Sequence, residues 1–393
     1  MGTNNHSSTT IVIDLFGGCG GMSWGLHKAG FRVVAAVDTW KTALETFQLN
    51  HPQAQVFCED IRKLPAKIVM KQLDLKVGDL DCLIGGPPCQ GFSKNVPAVG
   101  RFLNDPQNML FRDFMDYVRE FKPKVVVMEN VAEIYNAYKG AVRAEIEKKL
   151  ASLGYTTKTK VLYAPDYGIP QRRRRCFFFA SRTDVPPAFP DGMFSENGSG
   201  DLFADVREYR SAWSAISDLP PLKNGDGAEA MEYDKEPQND YQRLMRRDSS
   251  KLRDHITRKL NEKQMGRIVA LKPGQAWKSL PKRLQPKSGY SGAYGRLDEK
   301  MLAPTITRWV FHPGSGRFCH PREPRLITIR EAARIQSFSD DFKLTGTYIE
   351  KAHQIGNAVP PLFMMALASR IKTCLEGERG STQRLLEREA VRV

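Results

Sequence analysis

The residues of this sequence that most directly suggest chemistry surround one cysteine, Cys89. It lies in the stretch Gly-Gly-Pro-Pro-Cys-Gln-Gly-Phe-Ser at residues 85–93, directly after the short apolar run 79–84. A lone cysteine is most often a small core hydrophobe. Here two prolines fix the backbone immediately ahead of the thiol, and no packing role requires this run of residue types. Because an open α/β sheet presents its reactive groups on turns at strand ends, the stretch predicts a positioned nucleophile.

Two further segments carry charges that such a thiol could use. Residues 124–131 form a nearly continuous apolar run, typical of a buried strand, with the carboxylate Glu129 near its end. A carboxylate is rare at the end of so apolar a strand, so we expect Glu129 at the same sheet edge as Cys89. The run Gln-Arg-Arg-Arg-Arg at 171–175 leads into an aromatic strand. With a period of two, Arg173 and Arg175 share one face that can serve the site, although charge runs are usually solvated.

The N-terminal residues predict a ligand-binding βαβ unit. A strand over 11–16 runs into the glycine loop 17–21, and after a helix a second strand over 31–37 ends in Asp38. An acid about 20 residues beyond a glycine loop binds ribose hydroxyls in nucleotide folds; the alternative is a tight turn with a capping aspartate. The loop lacks the third glycine of G-x-G-x-x-G, which disfavours a nicotinamide dehydrogenase. Asp60, after a third strand, could reach an adenine amino group or cap a helix.

Length and composition bound the class of protein. At 393 residues the chain is long enough for two or three domains. No stretch approaches the roughly 18–20 apolar residues of a membrane span, and the first ten residues are polar, so we expect an intracellular, cytoplasmic protein. The seven cysteines are scattered without a C-x-x-C pair, which disfavours both a disulfide framework and a zinc site.

The charge distribution predicts a polyanionic partner. The formal net charge is +15, and residues 241–290 contain fourteen Lys or Arg against three Asp or Glu, with aromatic residues and glycines interleaved. That pattern is typical of a nucleic-acid-binding face. The composition shifts near residue 186, where we expect a second domain. Its aromatic residues, Trp309 among them, could be core or contact residues, and we expect them in the core. A capping box at 328–331 begins a later helix.

Taken in order, these motifs resemble those of the cytosine-5 DNA methyltransferase family, of the prokaryotic modification-methylase type. The resemblance covers about residues 10–370. Its six motifs are Asp-Leu-Phe at 14–16 with glycines 20 and 21, Pro-Pro-Cys-Gln at 87–90, Glu-Asn-Val at 129–131, Gln-x-Arg-x-Arg at 171–175, Arg-Glu-Ala-Ala-Arg-Ile-Gln at 330–336 and Gln-Ile-Gly-Asn-Ala-Val at 354–359.

The resemblance implies an α/β fold, Rossmann-like and S-adenosylmethionine-dependent, with a second, smaller target recognition domain. The implied bounds are 9–185 for the first part of the catalytic and cofactor-binding domain, 186–324 for the recognition domain, 325–375 for the return to the catalytic domain and 376–393 for a charged tail.

The family's chemistry is methyl transfer from S-adenosyl-L-methionine to C5 of a cytosine flipped out of a specific duplex DNA sequence. The resemblance implies that Cys89 bonds to C6, Glu129 holds or protonates N3, Arg175 steadies O2 and Arg173 takes a phosphate, with no metal. The segment 92–104 would close over the base. The implied cofactor-binding residues are Asp14, Phe16, Gly18, Gly20, Gly21, Asp38, Thr39, Asp60, Ile61, Pro88, Asn357 and Val359.

The chain departs from the family pattern after the second strand. Asp38 stands where the family usually has Glu, Thr39 where an aromatic residue often follows, and Trp40 is one place late, so the pattern assigns no adenine stacking to Trp40. Two rival functions stay open: an RNA cytosine-5 methyltransferase, whose branch lacks a large recognition insert, and a DNA-binding repressor with a pseudo-active site. We expect double-stranded DNA as partner, a cognate restriction endonuclease as a candidate partner, no membrane, and a monomer.

Overall fold

The apolar runs of the N-terminal half assemble into a seven-stranded sheet. The computed structural model that shows this sheet describes residues 10–88, 110–198, 206–289 and 291–390, with residues 378–390 as backbone only. Contacts divide the chain into two units. The first contains the described residues up to Leu162, then Arg174–Asp191 and the residues from Phe363 onward, and the second contains Tyr163–Arg173 and Gly192–Leu362.

The sheet and the helices that cover it make up the first unit, with elements numbered in chain order. Its strands are β1 (Ile11–Leu15), β2 (Arg32–Asp38), β3 (Gln55–Cys58), β4 (Cys82–Gly85), β5 (Val125–Val131), β6 (Thr156–Tyr163) and β8 (Arg174–Ser181). Its helices are α1 (Gly21–Lys28), α2 (Lys41–Asn50), α3 (Ala66–Gln72), α4 (Leu110–Phe121), α5 (Ala141–Ser152) and α11 (Pro361–Ala390).

The strand order is β3-β2-β1-β4-β5-β8-β6, with β1 to β5 parallel and β8 antiparallel to β5. The strands predicted at 11–16, 31–37 and 124–131 are confirmed within one or two residues as β1, β2 and β5. β4 and the first six residues of β5 are buried, as expected for parallel strands covered on both faces. The order changes direction between β1 and β4, and open α/β sheets bind ligands outside the carboxyl ends of the strands at such a point.

The second unit consists of short elements. They are β7 (Gln171–Arg172), β9 (Phe194–Ser195), β10 (Arg207–Glu208), α6 (Ala212–Ile216), β11 (Gly227–Met231), α7 (Asp240–Arg246), β12 (Leu252–Ile256), α8 (Glu262–Val269), β13 (Ala303–Pro304), α9 (Ile329–Ile335) and α10 (Tyr348–Asn357). The capping box predicted at 328–331 is confirmed at the start of α9.

A buried set of ion pairs surrounds α9, whose seven residues are all buried. Arg334 donates to Asp340 (Nε–Oδ1 2.9 Å) and to Asp218 (Nη2–Oδ2 3.3 Å). Arg325 binds Glu331 through two parallel hydrogen bonds of 2.8 Å. Removing one partner of such a buried pair lowers protein stability by about 3–5 kcal/mol. These pairs therefore stabilise the packing of α9 against the loops around it.

The predicted bounds of the recognition domain, 186 and 324, describe which residues contact DNA, and they stay a prediction. The second unit is defined by contacts within the chain and contains Tyr163–Arg173 and Gly192–Leu362. No helix in the described part of the chain has the length and apolar character needed to cross a bilayer. Nor do three or more His, Cys, Asp or Glu side chains among the described residues form a group suited to a metal ion.

Candidate active site

The carboxyl ends of four neighbouring parallel strands meet at one edge of the sheet. The registers place Leu15 beside Val37 and Gly85. Gly85 in turn pairs with Met128. The residues that follow these four in the chain share this edge and are Phe16, Asp38, Gly86 and Glu129. The predicted nucleophile Cys89, with residues 90–109 and thus the segment 92–104, lies outside the described residues.

Asp38, at the end of β2, binds the glycine loop. Its Oδ2 accepts a hydrogen bond from the Gly18 N–H (2.8 Å), and its Oδ1 accepts one from the Trp40 N–H (2.8 Å). Burial raises the pKa of Asp38 above its ordinary value, and these N–H donors oppose that shift. A carboxylate can accept more than two hydrogen bonds, so Asp38 can hold the loop and still accept from a ribose hydroxyl.

Asp14 supports the same loop from within β1. Its carboxyl group is buried and its Oδ2 accepts a hydrogen bond from the Ser23 hydroxyl of α1 (2.6 Å). Burial raises the pKa of Asp14 to about 7, against the lowering effect of the Ser23 hydrogen bond. Enclosed in this way, Asp14 ties β1 to α1. A contact of Asp14 with the cofactor stays a prediction.

Left-handed backbone conformations shape the loop at Phe16 (φ 58°), Gly18 (φ 53°) and Gly20 (φ 93°). Glycine adopts them without strain, whereas a residue such as Phe16 pays roughly 1–2 kcal/mol. A Cβ at Gly18 would meet no atom within 4 Å. Helix α1 begins at Gly21 and has no acidic residue in its first turn. Open space beside Gly18 and N–H groups at a helix start suit an anionic part of a ligand.

The structure engages Asp60 in a contact that the sequence did not indicate. Its carboxylate accepts from the Arg62 side chain (Nε–Oδ1 2.9 Å, Nε–Oδ2 3.1 Å) and from the Arg62 N–H (3.0 Å). These hydrogen bonds lower the pKa of Asp60 to about 2. An adenine amino group would therefore share an oxygen that Arg62 already uses. Of its predicted neighbours in the cofactor site, Thr39 is exposed and Ile61 is buried in the core of the first unit.

The turn that leads into Cys89 is held by β5. The Asn130 side-chain amide donates to the carbonyl oxygen of Pro87 (3.0 Å), and its Oδ1 accepts from the Val131 N–H (2.9 Å). A Cβ at Gly86 would lie 3.2 Å from Glu129 Oε2, so glycine lets the carboxylate approach the turn. Pro88 is exposed. Asn130 belongs to the Glu-Asn-Val motif at 129–131, but its hydrogen bond to Pro87 was not predicted from the sequence.

Glu129 and Arg175 form an ion pair of 2.8 Å (Nε–Oε1) with both side chains largely buried. The antiparallel register of β5 and β8 pairs Arg175 with Val131, two residues from Glu129, which brings the two side chains to one face. Arg175 Nη1 also donates to the Arg174 carbonyl oxygen (2.8 Å). The structure thus brings together the carboxylate and one of the arginines predicted for the site.

Arg173 is buried in the second unit, and its predicted contact with a phosphate stays a prediction. It is 2% exposed, and its Nη1 and Nη2 donate to the carbonyl oxygens of Ile306 (3.0 Å) and Ala358 (2.9 Å) within the second unit. Arg173 precedes β8, which begins at Arg174. Before it, the Arg173 N–H donates to the Gln171 carbonyl oxygen in a tight turn.

Two buried glutamines hold backbone segments of the second unit, and one of these segments ends α10. Gln336 Nε2 donates to the carbonyl oxygens of Ile355 (2.7 Å) and Ala358 (3.2 Å). Gln171 Oε1 accepts from the Ile306 N–H (3.1 Å). Neither role was predicted from the sequence. Both amides are buried, and a buried amide must find hydrogen-bond partners.

Asn357 is exposed and Val359 is buried at the end of this segment. Both belong to the second unit, so their grouping with the first unit's glycine loop around one cofactor stays a prediction.

Gly356→Ala is expected to destabilise the protein strongly. A Cβ at Gly356 would lie 2.1 Å from the backbone nitrogen of Arg308, and backbone cannot move aside as a side chain can. We expect the free energy of unfolding, measured by urea denaturation, to fall by about 1–3 kcal/mol. Gly266→Ala in α8 is the matched control, since no atom lies within 4 Å of the new Cβ. It should stabilise by about 0.5–1 kcal/mol, and equal effects of the two variants would contradict the account.

The sheet and the site define a class of proteins. A parallel sheet with the order β3-β2-β1-β4-β5, a glycine loop after β1 and an acid at the end of β2 is a nucleotide-binding α/β fold. A proline turn beside a carboxylate–arginine pair adds polar groups suited to catalysis at the same edge.

Comparison with known proteins identifies the family within that class. Residues 10–373 match the profile described as "C-5 cytosine-specific DNA methylase". The chain is 34% identical to the Type II methyltransferase M.DdeI of Desulfomicrobium norvegicum over 93% of this chain and 89% of that protein. It is 32% identical to the Type II methyltransferase M.AgeI of Thalassovita gelatinovora over 93% and 99%.

A solved structure supports the same assignment. It is a prophage-encoded E. coli protein described as a DNA modification methyltransferase, with a TM-score of 0.73 and 25% identity over 94% of this chain and 100% of that chain. The chain therefore belongs to the C-5 cytosine-specific DNA methylase family and is a DNA (cytosine-5)-methyltransferase.

Proposed function

We propose that this enzyme methylates C5 of a cytosine flipped out of a specific double-stranded DNA sequence, through a covalent bond between Cys89 and C6 of the ring. The observation that carries the proposal is the Glu129–Arg175 pair at the strand end beside the Pro87–Pro88 turn. Cys89 directly follows Pro88 in the chain, so a carboxylate, a guanidinium and a thiol can act on one base.

The chemistry requires a strong nucleophile. C5 of cytosine reacts poorly with electrophiles until a nucleophile adds at C6, and a thiolate suits that addition. Cys19, Cys176 and Cys319 are buried, and burial raises the pKa of each thiol to about 12. They stay protonated at neutral pH, which supports Cys89 as the nucleophile.

Glu129 and Arg175 would hold the ring while its bonds change. The Cys89 thiolate bonds to C6, which shifts the C5–C6 electron pair towards C5, while Glu129 holds or protonates N3 and accepts from the exocyclic amine. Arg175 donates to O2. S-adenosyl-L-methionine, when bound, supplies the methyl group that C5 accepts. A water molecule then accepts the C5 proton, the C5–H electron pair restores the C5–C6 double bond, and Cys89 leaves as a thiolate.

The first unit carries groups that fit this methyl donor. The N–H group of Gly21 suits its carboxylate, because it lies at the start of α1. The Gly20 N–H already donates to the Gly17 carbonyl oxygen (2.8 Å), and a contact of Gly20 with the donor stays a prediction. Asp38 suits its ribose hydroxyls, and the open space beside Gly18 leaves room for a ligand. We assign the cofactor to this edge. The remaining predicted contacts are Phe16, Thr39, Asp60, Ile61 and Pro88 here and Asn357 and Val359 in the second unit.

The second unit supplies a basic face for the DNA backbone. Eleven of the fourteen Lys and Arg residues of 241–290 are exposed: Arg243, Arg247, Lys251, Arg253, Lys259, Lys263, Lys272, Lys278, Lys282, Arg283 and Lys287. Contacts of such residues with phosphates release counterions and bind DNA. These phosphate contacts offset the free energy of unpairing and unstacking the target base, which is roughly a few kcal/mol. We therefore assign target recognition to residues 186–324.

The relatives named above are type II methyltransferases, which supports a role in a restriction–modification system. We propose that the enzyme acts as a monomer on cytoplasmic DNA of a prokaryote, beside a cognate endonuclease.

Bisulfite sequencing tests the proposed function. DNA from a host that expresses the enzyme should contain 5-methylcytosine at every copy of one short sequence, and DNA from a host that expresses the Cys89→Ser variant should contain none. Host RNA sequenced in the same way distinguishes the rival substrate. Methylated RNA with unmethylated DNA would replace the DNA assignment, and DNA binding with no methylation of either would favour the repressor.

A further inference from the structure

Trp309 is exposed, so the expectation that it lies in the core is wrong. Its exposed fraction is 47%, whereas the other four tryptophans are buried or half-buried. Hydrogen bonds fix the turn that carries it: the Trp309 N–H donates to Thr307 Oγ1 (3.3 Å), and its carbonyl oxygen accepts from the His312 N–H (2.9 Å). The exposed ring is thus held in place by its backbone.

Aromatic side chains support the Trp309 ring. The His353 ring of α10 meets it edge-on at 5.6 Å, and the Phe311 ring lies at 5.8 Å. Burial and the nearby Arg308 lower the pKa of His353, so this support stays uncharged at neutral pH. The Arg308 guanidinium lies 5.1 Å from the Trp309 ring centroid. An exposed aromatic ring with a cation beside it is the combination that stacks on nucleobases.

The charge of Arg308 is uncompensated by its described surroundings. Arg308 is exposed and makes no ion pair with any residue that the structure describes. Trp213 offers a contrast, because the Arg322 guanidinium that lies 4.5 Å from its ring is bound to Glu299 at 2.7 Å. Of these two arginines, Arg308 is therefore the one suited to bind a phosphate.

The patch formed by Arg308, Trp309, Phe311 and His353 adjoins the basic region. Arg258, a residue of that region, lies 5.4 Å from the Phe311 ring and donates to the Phe311 carbonyl oxygen (3.3 Å). The patch also joins α10 next to Asn357, through the close approach of Gly356 to the Arg308 backbone. Charge and continuity thus point to nucleic acid as the occupant.

We propose that Trp309 stacks on a base of the substrate DNA at the step that opens when the target cytosine leaves the duplex, with Arg308 on a neighbouring phosphate. In an intact duplex each base is covered on both faces, so a protein ring can stack only where a step has opened. The inference rests on the proposed function, because it requires a flipped cytosine in duplex DNA.

Substitutions separate the two roles. Binding is measured on two duplexes. The first contains the sequence that the enzyme methylates, with a mismatch at the target cytosine so that this base pair opens easily. The second lacks that sequence. Trp309→Ala should weaken binding to the mismatched duplex roughly tenfold, leave the other duplex unaffected, and leave the salt dependence unchanged. Trp309→Phe should retain most of the affinity. Arg308→Ala should weaken binding to both duplexes and reduce the magnitude of the slope of log affinity against log salt by about one.

Leu49→Ala is the matched control, since Leu49 is 45% exposed in the first unit, and it should change nothing. Urea denaturation of each variant checks the fold. If the wild-type enzyme methylates DNA but Trp309→Ala binds the mismatched duplex as tightly as wild type, the stacking inference is wrong and the proposed function stands. An equal loss on both duplexes would also overturn stacking. A wild-type enzyme that methylates no DNA overturns the proposed function itself.

Discussion

Replacing Cys89 by serine should lower the rate of methyl transfer by more than about 10⁴-fold. A serine hydroxyl is almost wholly protonated near neutral pH and does not add to C6, whereas a thiol supplies thiolate. DNA binding should persist, because the phosphate contacts assigned to the basic region do not involve Cys89. Transfer of a labelled methyl group to duplex DNA measures the first effect, and fluorescence anisotropy of labelled DNA measures the second.

Cys58→Ser is the control for this substitution. Cys58 is exposed at the end of β3, unlike the other cysteines among the described residues, and the proposed mechanism gives it no task. This variant should keep wild-type activity. Turnover by Cys89→Ser within about tenfold of wild type would remove Cys89 from the mechanism.

Glu129→Gln is expected to lower the turnover rate by about 10²- to 10³-fold with little change in DNA affinity. A neutral amide neither protonates N3 nor compensates the Arg175 guanidinium, which lies 2.8 Å from the carboxylate. The effect should fall on the turnover rate because Glu129 contacts only the flipped base in the proposed step. Steady-state rates with duplex DNA and anisotropy titrations separate the two quantities.

Glu145→Gln is the matched control for Glu129. Glu145 also binds an arginine, Arg112, at 2.9 Å, but on the surface between α5 and α4. Its loss should leave turnover unchanged, since surface ion pairs contribute at most about 1 kcal/mol to stability. If Glu129→Gln instead lost DNA affinity at an unchanged turnover rate, the carboxylate would serve binding and not the reaction.

The strands of the sheet and the positions of Glu129 and Arg175 on them could be predicted from the sequence because they follow from local periodicity. Their ion pair could not, since it depends on the register between β5 and β8. Continuous apolar runs gave β1, β2 and β5, and parallel strands place their carboxyl ends at one edge. Arg175 lies within β8, where alternation holds, so its face was predictable.

The hydrogen-bond partners of Arg173 could not be predicted in this way. Its partners Ile306 and Ala358 are 133 and 185 residues away in the chain, and no local pattern encodes contacts over such separations. The same holds for Trp309, whose exposure depends on how the turn at Thr307 packs against α10. Composition alone favours the core for a tryptophan.

Trapping with 5-fluorocytosine tests the central claim most directly, because the proposed mechanism removes a proton from C5 before Cys89 can leave. Fluorine cannot leave as a cation, so a duplex with 5-fluorocytosine at the target position should be methylated once and stay bound to Cys89. We predict a complex that survives denaturing electrophoresis, requires S-adenosyl-L-methionine and is absent with Cys89→Ser. Trapping by 5-fluorocytosine RNA, with none by duplexes of varied sequence context, would contradict the account.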